Sequence, residues 1–112
     1  MSKYHNQKTV YRGRRYDSKK EAKRAQDLDF MQRAGLISGL QKQVEYLLIP
    51  SQYRTVNGKR KCVERPCKYV ADFVYWQNGK LVVEDTKGYR TPDYVIKRKL
   101  MLQVYDIQIK EV

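Results

Sequence analysis

Two aspartates and a lysine carry the chemistry this chain is best equipped to do. Asp72 interrupts an apolar run, Tyr69-Val70-Ala71-Asp72-Phe73-Val74-Tyr75, and Asp85-Thr86-Lys87 closes a second run downstream. A carboxylate inside an otherwise apolar strand is costly unless it is paired or liganded. Mg2+ takes hard oxygen ligands, keeps several waters, and is commonly held by one or two carboxylates plus a substrate phosphate. Asp72 and Asp85 suit that role, with the backbone carbonyl of Thr86 as a further ligand. A metal so placed would polarise a scissile phosphate and lower the pKa of a bound water. Lys87, a compact charge, would position the attacking hydroxide or offset charge on the phosphorane. An acid-x-lysine triplet alone is common, and Lys87 could merely neutralise Asp85. Asp72 is what makes the set distinctive.

The elements that would position these groups can be read from the pattern. The runs Tyr69–Trp76 and Leu81–Thr86 read as strands flanking Gln77-Asn78-Gly79-Lys80, a loop that joins antiparallel neighbours. Side chains alternate along a strand, so Val83, Asp85 and Lys87 share one face and Glu84 and Thr86 the other. Glu84 is therefore the poorer candidate. Extending the hairpin register places Asp72 opposite Asp85, a repulsive pair unless something positive lies between them.

Asp17-Ser18-Lys19-Lys20-Glu21 reads as a helix start, with Ser18 as N-cap and Glu21 as its capping-box partner. That helix should reach Arg33 or Ala34, with Gly35 as the stop. Glu21, Ala25, Leu28 and Gln32 would share one face. Glu21 thus has two readings, a helix cap or an acid looking toward the sheet. A strand Val44–Ile49 ends at Pro50, and Gln52–Pro66, with Asn57-Gly58, reads as a basic hairpin tip. Tyr11–Tyr16 is a short strand or extended lead-in, and residues 1–10 a loose basic arm. Thr91-Pro92-Asp93 begins a second helix that should reach Tyr105, and a last strand spans Ile107–Val112. The order helix, strand, strand, strand, helix, strand predicts a mixed α+β sheet with helices packed on it, in a single domain.

Composition names the class of partner. Twenty-four Lys and Arg against 12 Asp and Glu give a formal net charge of +12 over 112 residues, which favours a polyanion such as DNA. Lys3–Arg24 holds nine basic residues against Asp17 and Glu21, and Arg54–Lys68 holds six against Glu64. Arg12, Arg14, Arg15 and Lys19 beside the first helix, and Arg90, Lys97 and Lys99 after Lys87, are the candidate phosphate contacts. The start of the helix at Pro92 could also receive a phosphate. Tyr75, Trp76, Tyr89 and Tyr94 are candidates for base stacking, with core packing as the alternative. No apolar run approaches the ~20 residues of a membrane span, and the N-terminus lacks a signal-peptide core. Cys62 and Cys67, with His5 the sole histidine, fall short of a structural zinc site. A cytoplasmic protein with free thiols is expected.

Taken together, Tyr16–Glu21, Tyr69–Phe73, Val83–Gly88 and Ile96–Leu100 resemble the PD-(D/E)XK nuclease superfamily, in particular small phage-borne members of it. The resemblance covers Tyr11–Val112 and implies a restriction-endonuclease-like core. It gives Glu21 the acid of the first helix, Asp72 and Asp85 the metal ligands, and Lys87 the catalytic lysine. It implies Mg2+ or Mn2+ dependence and cleavage of DNA. Ala71 stands where the superfamily's name has proline, and Asp85 is the shorter acid of the triplet. The expected activity is endonucleolytic cleavage of branched or junction DNA, with a homodimer required for paired incisions. A non-catalytic nucleic-acid-binding protein on the same fold is the alternative, and a protein-interaction module with an acidic partner a third reading.

Overall fold

The computed structural model describes residues 9–11, 13–16, 18–86 and 89–112, the side chains of Thr9, Arg14 and Arg15 excepted. Its elements are β1 (Thr9–Tyr11), β2 (Arg14–Tyr16), α1 (Lys19–Arg33), β3 (Ser38–Ile49), β4 (Gln52–Val56), β5 (Lys59–Glu64), β6 (Cys67–Gln77), β7 (Lys80–Asp85), α2 (Pro92–Tyr105) and β8 (Lys110–Glu111). The fold is mixed α+β. Its main sheet has the order β3-β6-β7-β8, antiparallel except for the parallel pair β7–β8. The principal elements α1, β3, β6, β7, α2 and β8 repeat the expected order. Among the described residues, no helix is long and apolar enough to cross a membrane.

Local chemistry explains where most elements begin and end. Ser18 caps α1 by accepting from the Glu21 amide at 3.1 Å, and Gly35 leaves the helix at φ 79°. Thr91 caps α2 by accepting from the Tyr94 amide at 3.2 Å. Asn57-Gly58 and Asn78-Gly79 each place two consecutive residues at positive φ, the backbone of the tight hairpin turns these dipeptides favour. The second turn is shorter than the four-residue loop expected, because Gln77 and Lys80 still pair. Several extents also differ. The first long strand begins at Ser38 rather than Val44, and the last is only Lys110–Glu111. Thr9 and Val10, expected in a loose arm, instead pair with Tyr16 and Arg15, while residues 1–8 of that arm lie outside the described residues.

Two apolar clusters sandwich the sheet. Tyr16, Ala22, Ala25, Leu28, Phe73 and Tyr75 pack under α1, while Tyr69, Ala71, Val83, Tyr94 and Met101 pack under α2. The neighbours Val82 and Val83 on β7 join different clusters, so the two helices cover opposite faces. Gln32, expected on the inner face of α1, is exposed, and its Oε1 accepts from the Leu40 amide at 2.8 Å. The inner face is instead Glu21, Ala22, Ala25 and Leu28.

Glu111 fastens β8 to α2. Its carboxylate accepts from Arg90 at 2.8–3.1 Å, from the Tyr94 hydroxyl at 2.7 Å and from Arg98 at 3.2 Å. Arg90, first, and then Tyr94 hold this carboxyl down at about 2. Its folded pKa therefore lies below its unfolded value, ~4.3. The stabilisation is complete above that value and lost as pH falls toward the folded one. The Glu111→Gln variant should melt lower than the parent at neutral pH, and the gap should close as pH falls from 5 toward 2, which thermal melts across that range will show.

Candidate active site

The hairpin register expected from the turn holds from Gln77↔Lys80 to Phe73↔Glu84, where the ladder ends. Asp72 and Asp85 would form the next rung, but they do not pair. Asp72 Oδ2 instead accepts from the Thr86 amide at 2.8 Å, so the carboxylate reaches past its expected partner to the backbone beyond β7. Asp85 pairs outward with Glu111 of β8. The reason lies in β6. Phe73 and Tyr75 belong to the cluster under α1, whereas Tyr69 and Ala71 belong to that under α2. Side chains should alternate with a period of two, so the alternation inverts at Asp72.

The same inversion runs through β3. Lys42 bonds Asp29 of α1 at 3.3 Å, while Val44 packs into the cluster under α2. Between them Gln43 adopts φ 55°, a left-handed conformation that costs a non-glycine residue on the order of 1–3 kcal/mol. Its side chain shows what the kink achieves. Gln43 Nε2 lies 2.8 Å from Glu21 Oε1 and 3.5 Å from Asp72 Oδ1, spanning from helix to sheet. Of the two readings of Glu21, the acid looking toward the sheet is the one its carboxylate follows. Its amide is capped by Ser18, and its buried carboxylate looks toward Asp72.

Gln43 yields a prediction with an unusual sign. Alanine ordinarily stabilises relative to glycine, but at a left-handed position the order reverses. Gln43→Gly should be more stable than Gln43→Ala by about 1 kcal/mol in denaturant titrations, although both lose the amide bridge. The usual order would show that the position carries no backbone strain.

Asp85 is almost fully buried, and its Oδ2 accepts from the Tyr69 hydroxyl at 2.5 Å. Burial first, and then this bond, push the Tyr69 phenol far above its ordinary value; the charges of Asp85 and Asp72 both add to the effect. Tyr69 is thus the group that feels both aspartates. Glu84 faces the other way. Arg24 of α1 grips it through two bonds of 2.8 and 2.6 Å, and the Tyr75 hydroxyl donates to it. It is fully buried and engaged in structure, as strand parity anticipated. The Thr86 amide serves Asp72, and the Thr86 hydroxyl is buried without a hydrogen-bond partner among the described residues.

The basic residues divide. Lys19 and Lys99 are exposed, and Lys97 is half-buried. Arg90, expected to meet phosphate, is drawn onto Glu111. Lys87 and Arg12, and the side chains of Arg14 and Arg15, lie outside the described residues. Of the aromatics, Tyr75 and Tyr94 are core, while Trp76 and Tyr89 are exposed. Both cysteines are free. Gln43 and Tyr69 carried no legible signal as site members. A glutamine in a strand gives no sign of a left-handed backbone, and Tyr69 looks like any core aromatic until the inversion at Asp72 turns it toward Asp85.

Among the described residues, no three Asp, Glu, His or Cys side chains converge into a ready-made cage. The donor set nevertheless suits a hard cation that retains water, for which one or two carboxylates and a phosphate suffice. The amide hydrogens of Gln43 already point a partial positive charge between Glu21 and Asp72. Asp72 is only half-buried and Gln43 is exposed, so solvent can reach this edge. No curated protein and no solved structure matches the chain. One family does, over residues 1–111: DUF1064, described as a protein of unknown function. The chain belongs to that family.

Proposed function

We propose that the protein is a metal-dependent endodeoxyribonuclease of the PD-(D/E)XK type, acting on branched or junction DNA in phage replication, recombination or packaging. The observation that carries this reading is the meeting of Glu21, Gln43 and Asp72 at the inversion in the sheet, beside Asp85 and Tyr69. Glu21 and Asp72 brought together through Gln43, with the half-buried Asp72 open to solvent, in a protein of charge +12, support chemistry at a phosphate. Asp72 and Asp85 would hold Mg2+ or Mn2+, with Glu21 through water. When bound, the metal supplies Lewis acidity and lowers the pKa of a water.

The chain's own residues do the rest. The Thr86 amide fixes the Asp72 carboxylate, and the Tyr69 hydroxyl fixes that of Asp85, so both oxygens are preorganised before substrate arrives. Gln43 holds Glu21 and Asp72 at a set separation. Lys87, next but one to Asp85 in the chain, is the cation that would orient the nucleophile. Paired incisions would require a homodimer.

One observation favours a second reading, a non-catalytic nucleic-acid-binding protein. The Gln43 amide already bridges Glu21 and Asp72, so it stabilises those acids with no cation. A panel of four-way junction, flap and linear duplex DNA, each with Mg2+, Mn2+ or EDTA, decides between the two. Cleavage that needs metal and disappears in Asp85→Ala and Lys87→Ala supports the nuclease. Binding without cleavage under every metal supports the binder, and cleavage that survives EDTA defeats the mechanism.

A further inference from the structure

Among the described residues, the hairpin β4–β5 contributes no side chain to either apolar cluster. Every residue of both strands is exposed, and a two-stranded hairpin without a buried face is marginal alone. It is a two-stranded sheet of its own, joined to β3 through Pro50 and to β6 through Pro66, with register shifts at Leu47/Ile49 and Gln52/Tyr53 on either side. Its charge is one-sided. Gln52–Arg65 carries Arg54, Lys59, Arg60, Lys61 and Arg65 against Glu64. Arg54 lies directly opposite Lys61, and the next rung on that face pairs Val56 with Lys59. Like charges in register destabilise a ribbon; a polyanion laid over them removes the penalty. On the reverse face, Arg60 sits over the Tyr53 ring at 4.0 Å, which stiffens the ribbon.

We propose that the β4–β5 hairpin is a DNA-contacting arm that seats in the major groove of a duplex, with Arg54, Lys59 and Lys61 against phosphates. The dimensions agree. Two strands ~4.8 Å apart, with their side chains, fit a groove about 12 Å wide and about 8.5 Å deep. The β4 strand is long enough, at roughly 17 Å, to pass fully into it. The arm begins nine residues beyond Gln43, at most roughly 30 Å along the strand, or about nine base pairs. Placing the arm relative to a cut rests on the nuclease reading; groove binding itself does not. The preferred substrate would then carry continuous duplex for about one helical turn to one side of the scissile bond.

The test is binding of the full chain to a fluorescent DNA duplex of two helical turns, in EDTA, across a KCl series. The double variant Arg54→Gln, Lys61→Gln should lower the slope of log Kobs against log salt by about 1.8, at ~0.9 per phosphate contact. A control, Arg33→Gln with Lys80→Gln, removes the same charge at the far end of the sheet, where Gly35 and Asn78 line one surface pocket, and should keep the parent slope. On an RNA duplex, whose deep and narrow major groove excludes the ribbon, all three proteins should share one slope. An unchanged slope in the arm variant, an equal loss in the control, or the same loss on RNA would each overturn the proposal, as would parent protein that binds DNA independently of salt. Because these measurements need no cleavage, a protein that binds in this way but never cuts defeats the nuclease reading alone. One that cuts with an unchanged slope defeats the arm alone.

Discussion

The Asp72→Asn variant should lose on the order of a thousandfold in metal-dependent cleavage while melting within a few degrees of the parent. The loss follows from removing an anionic ligand whose cation contributes several kcal/mol to transition-state charge, at 1.36 kcal/mol per factor of ten. The melting temperature should hold because asparagine keeps an oxygen for the Thr86 amide. Its new amide group would face Gln43 Nε2 across the long 3.5 Å contact, while Gln43 keeps its 2.8 Å bond to Glu21, so little is lost. DNA affinity in EDTA should stay the same or rise, since a negative charge has left a phosphate site. Single-turnover kinetics, melts and binding isotherms separate these effects. Near-parental cleavage would remove Asp72 from the chemistry. A collapse in melting temperature would make it a structural acid.

The largest effect on stability belongs to Glu84. It is wholly buried, held by Arg24 through two bonds and approached by the Tyr75 hydroxyl. The hydrogen bond to Glu84 raises the Arg24 pKa. Burial and then the bond to Glu84 push the Tyr75 phenol up to about 12. Arg24→Ala leaves the buried Glu84 carboxylate with the Tyr75 hydroxyl and Lys110 at 4.0 Å and should cost about 3–5 kcal/mol. Glu84→Ala leaves the partly exposed Arg24 free to turn to solvent and should cost less. The pair Glu84→Leu with Arg24→Met should recover most of that, because burying the ion pair gains little over an apolar replacement of like volume. Urea titrations of the four proteins measure the two costs and the recovery. Single variants costing under ~1 kcal/mol would mean that the pair is solvated in solution.

These two residues also show where the sequence could be read and where it could not. The parity of β7 is regular, so Glu84 and Asp85 were assigned to opposite faces correctly from alternation alone. The hairpin register followed from the turn, and the helix boundaries from Ser18, Gly35 and the Thr91-Pro92-Asp93 start. Asp72 escaped the same arithmetic because alternation is a local rule and a kink on the neighbouring strand breaks it. Gln43 supplies that kink, and only the packing of two helices on opposite faces requires it. The ion pair of Arg90 is illegible for a related reason. Its partner Glu111 is remote in the chain, and although a last strand is expected over Ile107–Val112, its pattern does not say that it lies parallel to β7.

That short strand has a consequence for the order of folding. The backbone of Asp85 is engaged by β8 on its outer side, where Val112 donates to its carbonyl at 3.0 Å. Until the chain has threaded α2 and delivered these residues, β7 presents an open edge at Asp85. A parallel partner reached across a helix is among the slowest contacts to form, since loop closure precedes any return from pairing. The β3–β6–β7 meander, built from tight turns and neighbouring segments, can form first. The edge beside Asp85 is therefore finished last, after the scaffold that carries it.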